Sequence, residues 1–436
     1  MQTNLTLTKT ESRVSPLGFL WRMAQNPLDL LTDLAREHGD IAPVRFRWRR
    51  FFLLNHPEFI EQVLVRQAGN FVKGPGLKRA RVILGEGLLT SEGEQHLAQR
   101  RALQPAFHRH KMEEYLPVMN ENTISHLSSW AGGTHVDMAH EMMKLTLNIA
   151  LWSFFGSAPA GSVERVSASM KTLSRLFPLT QFPLPDAARL LFPKFRQARD
   201  DLNSITKTLL AAPGSNNALI HILKQNSGGH FTEEQVSAHA LTFLLAGHET
   251  TALLLTWCWD LLAHHPLVQN KLQDEVDRVL GNRFPAPDDV NNLPYTRSIV
   301  KETLRMRPPA WAMGRQALND CQIGGQSIHA GDVVILSQWV THHDARFYEY
   351  PDQFHPERWP DLEKLPFPRY AFFPFGGGNR VCIGEQFAMT EAIAVLALIA
   401  RRWHVLPAQA DLARPKPSVT LRPNKGVKLI LERRDV

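Results

Sequence analysis

The sequence predicts a mainly α protein with a minor β component, and three stretches carry that prediction. From Glu233 to about His264 runs one unbroken apolar pattern, opened by a Thr232–Gln235 capping box and closed before Pro266. At about 1.5 Å per residue it forms a helix roughly 48 Å long, and a helix apolar on every side lies inside a core. Toward the other end, Phe372 to Ala392 presents one thiol, Cys382, from a glycine-rich loop that leads into a helical apolar run. Strand-like alternation is marked at Ile41 to Asn55, which places a small sheet near the N-terminus.

The chain has 436 residues, 44% of them hydrophobic, enough for a large core, and a net charge of +7 spread without a basic tract. A dispersed excess of that size argues against nucleic acid and suits a basic docking face for an acidic partner protein. Three distant cysteines, Cys258, Cys321 and Cys382, point to a reducing compartment. The N-terminus holds no apolar run long enough for a signal peptide or a membrane span.

Taken in order, Pro27 to His38 reads as a helix closed by Gly39. In the alternating stretch that follows, Arg45, Arg47 and Arg49 share one face and Phe46 and Trp48 the other. That face is either a solvated surface or an anchor for an acidic substrate head group. Phe71 to Ser91, rich in Gly and basic residues, reads as a mobile loop. Glu94 to Phe107 is helical and sets His96 and Arg100 four residues apart on one face. Helical patterns broken by Pro and Gly fill 112 to 225. Within the long apolar helix, Ala246-Gly247-His248-Glu249-Thr250-Thr251 places a glycine and a carboxylate where both weaken a helix. Local rules broken at the centre of a core element mark function. Leu293 to Arg307 is a helix stopped by Pro308-Pro309, with Glu302 and Arg305 on one face. Ile323 to Leu336 reads as a hairpin turning near Gly331-Asp332. Phe387 to Trp403 follows as an amphipathic helix, and 418–422 and 427–431 as terminal strands.

The chemistry centres on Cys382. Glycines 376 to 378 let backbone approach a flat ligand closely. Gly384 and the helix start leave unpaired N–H groups and a positive dipole end beside the sulfur, which favours thiolate over thiol. A structural cysteine needs no such frame, a zinc site needs further Cys or His nearby, and a dinucleotide loop needs a third glycine that Gly376-x-Gly378-x-x-Val381 lacks. One thiolate on a haem iron fits.

The spacing Phe375-x-x-Gly378-x-x-x-Cys382-x-Gly384, with Arg380 two residues before the cysteine, resembles the haem-ligand signature of the cytochrome P450 family. The resemblance covers essentially the whole chain, although four segments carry its specific motifs. It implies a single domain over residues 1–436, in which the long central helix and the ligand-loop helix sandwich haem b. It implies that Ala246 and Gly247 leave room over the iron, that Glu249 and Thr250 form an acid–alcohol pair that handles protons, and that His96, Arg100 and Arg315 hold the haem propionates. Glu302 and Arg305 with Arg358, in Phe354-His-Pro-Glu-Arg-Trp359, resemble a Glu–Arg–Arg network that supports the ligand loop. The activity implied is monooxygenation: one atom of dioxygen enters a hydrophobic small molecule. With no flavin or nucleotide segment, electrons come from a ferredoxin or flavodoxin and its reductase, docked on a basic face that includes Arg100, Arg101, Arg109, Lys111 and Arg380. Microsomal relatives carry a membrane anchor, so its absence implies a soluble, bacterial-type, cytoplasmic monomer. The rival readings are a peroxide-driven hydroxylase or an oxygen-independent isomerase, whose relatives tend to lose the acid–alcohol pair, and a non-catalytic haem sensor. The pocket segments expected from the resemblance are 74–90, 160–195, 242–250, 309–313 and 418–421. Their apolar character suggests a fatty acid, terpenoid, steroid or polyketide.

Overall fold

The computed structural model describes residues 22–23, 25–46, 49–180, 193–212, 218–225, 231–359 and 367–435. Arg47, Trp48 and much of the expected 160–195 pocket segment lie outside the described residues. Elsewhere the architecture is helical with small sheets. The central helix spans Glu233–Ala263, 31 residues, and its capping box is formed in both directions, by Gln235 N–H to Thr232 Oγ1 at 3.3 Å and Thr232 N–H to Gln235 Oε1 at 3.1 Å. It packs along Met138–Ala150, and the two form the heart of the main apolar core.

The ligand-loop helix, Glu385–Arg402, is buried rather than amphipathic: every residue from Thr390 to Arg401 is shielded from solvent. Its neighbours account for this, since Met112–Leu127, Pro266–Leu280, Pro294–Met306 and the central helix surround it.

The main sheet is not assembled from N-terminal residues alone. Its order is Ile41–Phe46, Arg49–Leu54, Val333–Leu336, Met313–Ala317, Phe71–Lys73, so two of five strands arrive from 313–336. The expected hairpin over 323–336 is also revised. Cys321–Ile323 and Gln326–Ile328 turn on Gly324-Gly325, both at positive φ, whereas Val333–Leu336 leaves to pair with Arg49–Leu54 in parallel and Met313–Ala317 in antiparallel fashion. Consecutive glycines at positive φ form the tighter turn, and that decides the register. The stretch read as a mobile loop contains the helix Pro75–Leu84, with proline at its first turn and Gly85 after its end. Near the C-terminus, Pro415–Pro417 pairs with Leu421–Pro423, leaving 418–420 as a tip, while Lys428–Arg433 joins a separate sheet with His135–Asp137 and Trp403–Pro407.

Candidate haem site

The loop that carries Cys382 is shaped by its own backbone. Cys382 N–H donates to Phe375 O at 2.9 Å and Gly376 N–H to Phe373 O at 2.9 Å, closing two turns around the glycines. Gly378 has φ +65°, and a Cβ there would collide with the Leu64 carbonyl, so this position admits glycine alone. Solvent reaches Cys382, although protein packs closely around the rest of the residue. That enclosure corrects one expectation: burial raises the Cys382 thiol pKa, outweighing the hydrogen bond with the Gly384 backbone that pulls it down. Without a ligand the group is a thiol, and coordination to a cation is what deprotonates it. Among the described residues, no three His, Cys, Asp or Glu side chains gather around one point. A metal on Cys382 must therefore bring its other ligands with it, as a macrocycle does.

The central helix offers a matching window. From Ala238 to Ala263 every residue is buried except Ala246, which is exposed, and Gly247 and Thr250, which are half-buried. Positions 246 and 250 are four apart and so share a face. Gly247 has a different reason to be small. A Cβ there would lie 2.8 Å from the Phe154 ring, so the glycine admits the segment Leu151–Phe155 against the helix. Ala246, rather than Gly247, is the opening.

Positive charge also gathers in the interior. Lys73 and Arg315 stand directly opposite each other on antiparallel strands, a placement of like charges that is unfavourable unless an anion joins them. His96, Arg100 and Arg380 complete the group. Arg380 pairs with Glu92, and Glu92 is the one carboxylate whose charge is felt by both Lys73 and Arg315. Lys73 Nζ donates to Ser91 O at 2.6 Å and Leu88 O at 3.1 Å, and Arg100 Nη1 to Val381 O at 2.7 Å. Each cation depresses its neighbours. Burial, then Arg380, lowers the Lys73 pKa to about 7 and the His96 pKa to about 3, while burial and Arg380 bring Arg315 down to about 10. An excess of enclosed donors is what a dianionic propionate edge requires, so these residues fit haem. Sequence reasoning found four of the five donors and missed Lys73, whose only signal was its place at the end of a short strand.

Behind the loop lies the network expected from Glu302, Arg305 and Arg358. Arg305 Nε and Nη2 each donate to the Glu302 carboxylate at 2.9 Å, and Arg358 Nε at 3.3 Å. His355 N–H (3.1 Å) and Trp359 Nε1 (3.0 Å) complete the carboxylate. Arg305 also donates to the carbonyls of His342, Pro351 and Gln353. The His342 imidazole, kept neutral by burial, accepts from Phe373 N–H at 3.1 Å. The network thus reaches the first turn of the ligand loop.

On the loop's other side opens a cleft of about 780 Å³, lined by Arg109, Arg297, Lys301, Arg369 and Glu385 together with Phe375 and its glycines. None of its lining comes from the central helix.

A helical fold with a lone, solvent-reached thiol on a glycine loop, an opening in its buried central helix and a cluster of enclosed cations fits a haem-thiolate oxidoreductase. The cytochrome P450 family model matches residues 14–431, and the chain belongs to that family. Its relatives include cyclooctatin synthase of Streptomyces melanosporofaciens, 34% identical over 93% of this chain and 91% of that protein. Cyclooctat-9-en-7-ol 5-monooxygenase of the same organism is 32% identical, covering 93% and 89%. Pentalenene oxygenase of Streptomyces avermitilis is 29% identical, covering 97% and 96%. The chain is a haem-thiolate monooxygenase that takes electrons from redox partners and acts on a hydrophobic substrate. No helix among the described residues is long and apolar enough to cross a membrane.

Proposed function

We propose that this monooxygenase inserts oxygen into a terpenoid, within one structural unit spanning residues 1–436. The substrate class rests on the relatives named for cyclooctat-9-en-7-ol and pentalenene. The group bound is haem b, and when bound it supplies dioxygen activation, with thiolate ligation favouring O–O cleavage.

The chain's own residues divide the remaining work. Cys382 supplies the sulfur, and the Gly384 backbone bonds to it. Lys73, His96, Arg100, Arg315 and Arg380 hold the propionates, and the Glu302–Arg305–Arg358 network fixes the loop. Ala246 leaves space above the ring. Thr250, whose hydroxyl donates to Ala246 O at 3.0 Å, and Glu249 deliver protons to the space that Ala246 leaves. The protein binds, orients and moves protons, while the cofactor carries the oxidation. The observations that support the reading are the solvent-reached Cys382 on its glycine loop and the opening at Ala246 and Thr250 in an otherwise buried helix.

Electrons arrive from a ferredoxin or flavodoxin and its reductase, in the cytoplasm, with the enzyme a monomer. The docking face differs from the sequence expectation. Arg100 and Arg380 turn inward, so Arg109 acts with Arg297, Lys301 and Arg369 around the cleft beside the thiolate loop, and Arg101 and Lys111 extend the face. Thr250→Ala tests the proton path. It is expected to divert reducing equivalents from product to hydrogen peroxide while the haem spectrum stays intact, and full coupling would contradict the assignment.

A further inference from the structure

The Glu249 carboxylate is turned toward the C-terminal hairpin. Its Oε1 accepts from Thr420 Oγ1 at 2.5 Å and from Arg422 Nη2 at 2.7 Å and Nε at 3.2 Å. Thr250 makes its bond to the helix backbone instead. Glu249 is 5% exposed, whereas the Arg422 side chain is 29% exposed, so the pair joins a buried end to a wet one. The hairpin that carries Thr420 and Arg422 is itself fastened to the central helix and to the segment Pro309–Trp311. Leu421 N–H donates to Pro309 O at 2.9 Å, Trp257 Nε1 to Leu421 O at 3.0 Å, and Trp311 Nε1 to Ser418 O at 3.0 Å.

We propose that Thr420 and Arg422 are positioning residues that park the Glu249 carboxylate beside solvent and govern when it turns to Thr250. The inference rests on Glu249 and Thr250 being the proton path. A carboxylate oxygen that takes charge-assisted bonds from a guanidinium and a further bond from a hydroxyl is held in place. Parked there, Glu249 takes a proton from solvent water reaching the exposed edge of Arg422, and the guanidinium keeps its own. Protonation weakens the ion pair and frees the carboxyl group. Turned inward, it gives that proton to the Thr250 hydroxyl, which passes one into the space beside Ala246, and the restored carboxylate returns to Arg422. A parked and released carboxylate delivers one proton per swing, which suits a reaction that must not leak.

The test uses the haem-loaded enzyme and the set Arg422→Gln, Arg422→Lys, Thr420→Val, Glu249→Gln and the double variant Glu249→Gln/Arg422→Gln. Thermal unfolding needs no substrate. Arg422→Gln is expected to lower Tm in the native background and to change it far less when Glu249 is already Gln, and additive shifts would overturn a direct interaction. With pentalenene as probe, hydrogen peroxide formed per NADH should rise several-fold in Arg422→Gln, return most of the way in Arg422→Lys, and rise less in Thr420→Val. Should Arg422→Gln fold poorly, Thr420→Val carries the test, since it removes one hydroxyl and leaves the ion pair. A peroxide yield unchanged by both substitutions, or lysine no better than glutamine, would refute the positioning role. Loss of the thiolate-type carbon monoxide spectrum in every variant would instead count against the haem-thiolate reading.

Discussion

Two buried charge clusters flank the ligand loop, and they are built on opposite plans. Around Glu302 every strong group is answered: two arginines, an indole N–H and a backbone amide converge on one carboxylate, and the remaining guanidinium donors end on carbonyls. Around Lys73 the sum is left open, because Lys73, Arg315 and Arg380 share the one carboxylate of Glu92, with His96 and Arg100 adding donors nearby. A closed cluster holds a shape, whereas an open one in the same kind of burial holds a place for a ligand charge. The difference separates scaffold from site without reference to either motif.

The comparison breaks first if Glu302 is replaced. Glu302→Ala strands Arg305, which is fully buried, and removing one member of a buried ion pair costs about 3–5 kcal/mol. We expect loss of soluble, haem-binding protein, seen as a collapsed yield and a lowered Tm. Lys73→Met should do the reverse, keeping the fold while weakening haem retention by roughly tenfold or more, since a charged hydrogen bond contributes about 1.5–3 kcal/mol. Titration of apoprotein with haem reads both. The pH dependence sharpens the contrast further. In the unliganded fold the Lys73 pKa is depressed to about 7 by burial, Arg380 and Arg315, against the opposing pull of Glu92. Unfolding therefore takes up a proton between pH 7 and the ordinary lysine range, and this group's contribution to apoprotein stability rises with pH across that window. A propionate raises the Lys73 pKa, so haem binding takes up a proton above pH 7 and haem affinity falls as pH climbs. Lys73→Met should flatten that slope, and an unchanged slope would remove Lys73 from the propionate edge. His96, depressed to about 3, titrates with the same sign at lower pH.

What the sequence made legible was local. The Cys382 loop reads from ten consecutive residues because glycine spacing and the helix start act over short range. The central helix reads from its capping box and Pro266 for the same reason. The open cluster was legible only through family resemblance and only in part, because Lys73 meets Arg315 across strands 242 residues apart, and no short-range pattern encodes that register. The same limit hid the Arg422–Glu249 pair, and it led the second hairpin to be placed at Gly331 instead of Gly324-Gly325. Gly247 shows the opposite error: a residue whose smallness looked functional is small because Phe154 packs against it. The ligand-loop helix looked amphipathic because its polar residues, Glu391 and Arg401 among them, are buried in the assembled fold.

Ligation through a single sulfur is the claim on which the whole account turns, and the reduced protein with carbon monoxide tests it most directly. The account predicts an absorbance maximum at the position diagnostic of a thiolate-bound haem, abolished by Cys382→Ala. A maximum at the position given by a neutral ligand in the native protein, or a thiolate-type band that survives the substitution, would contradict it.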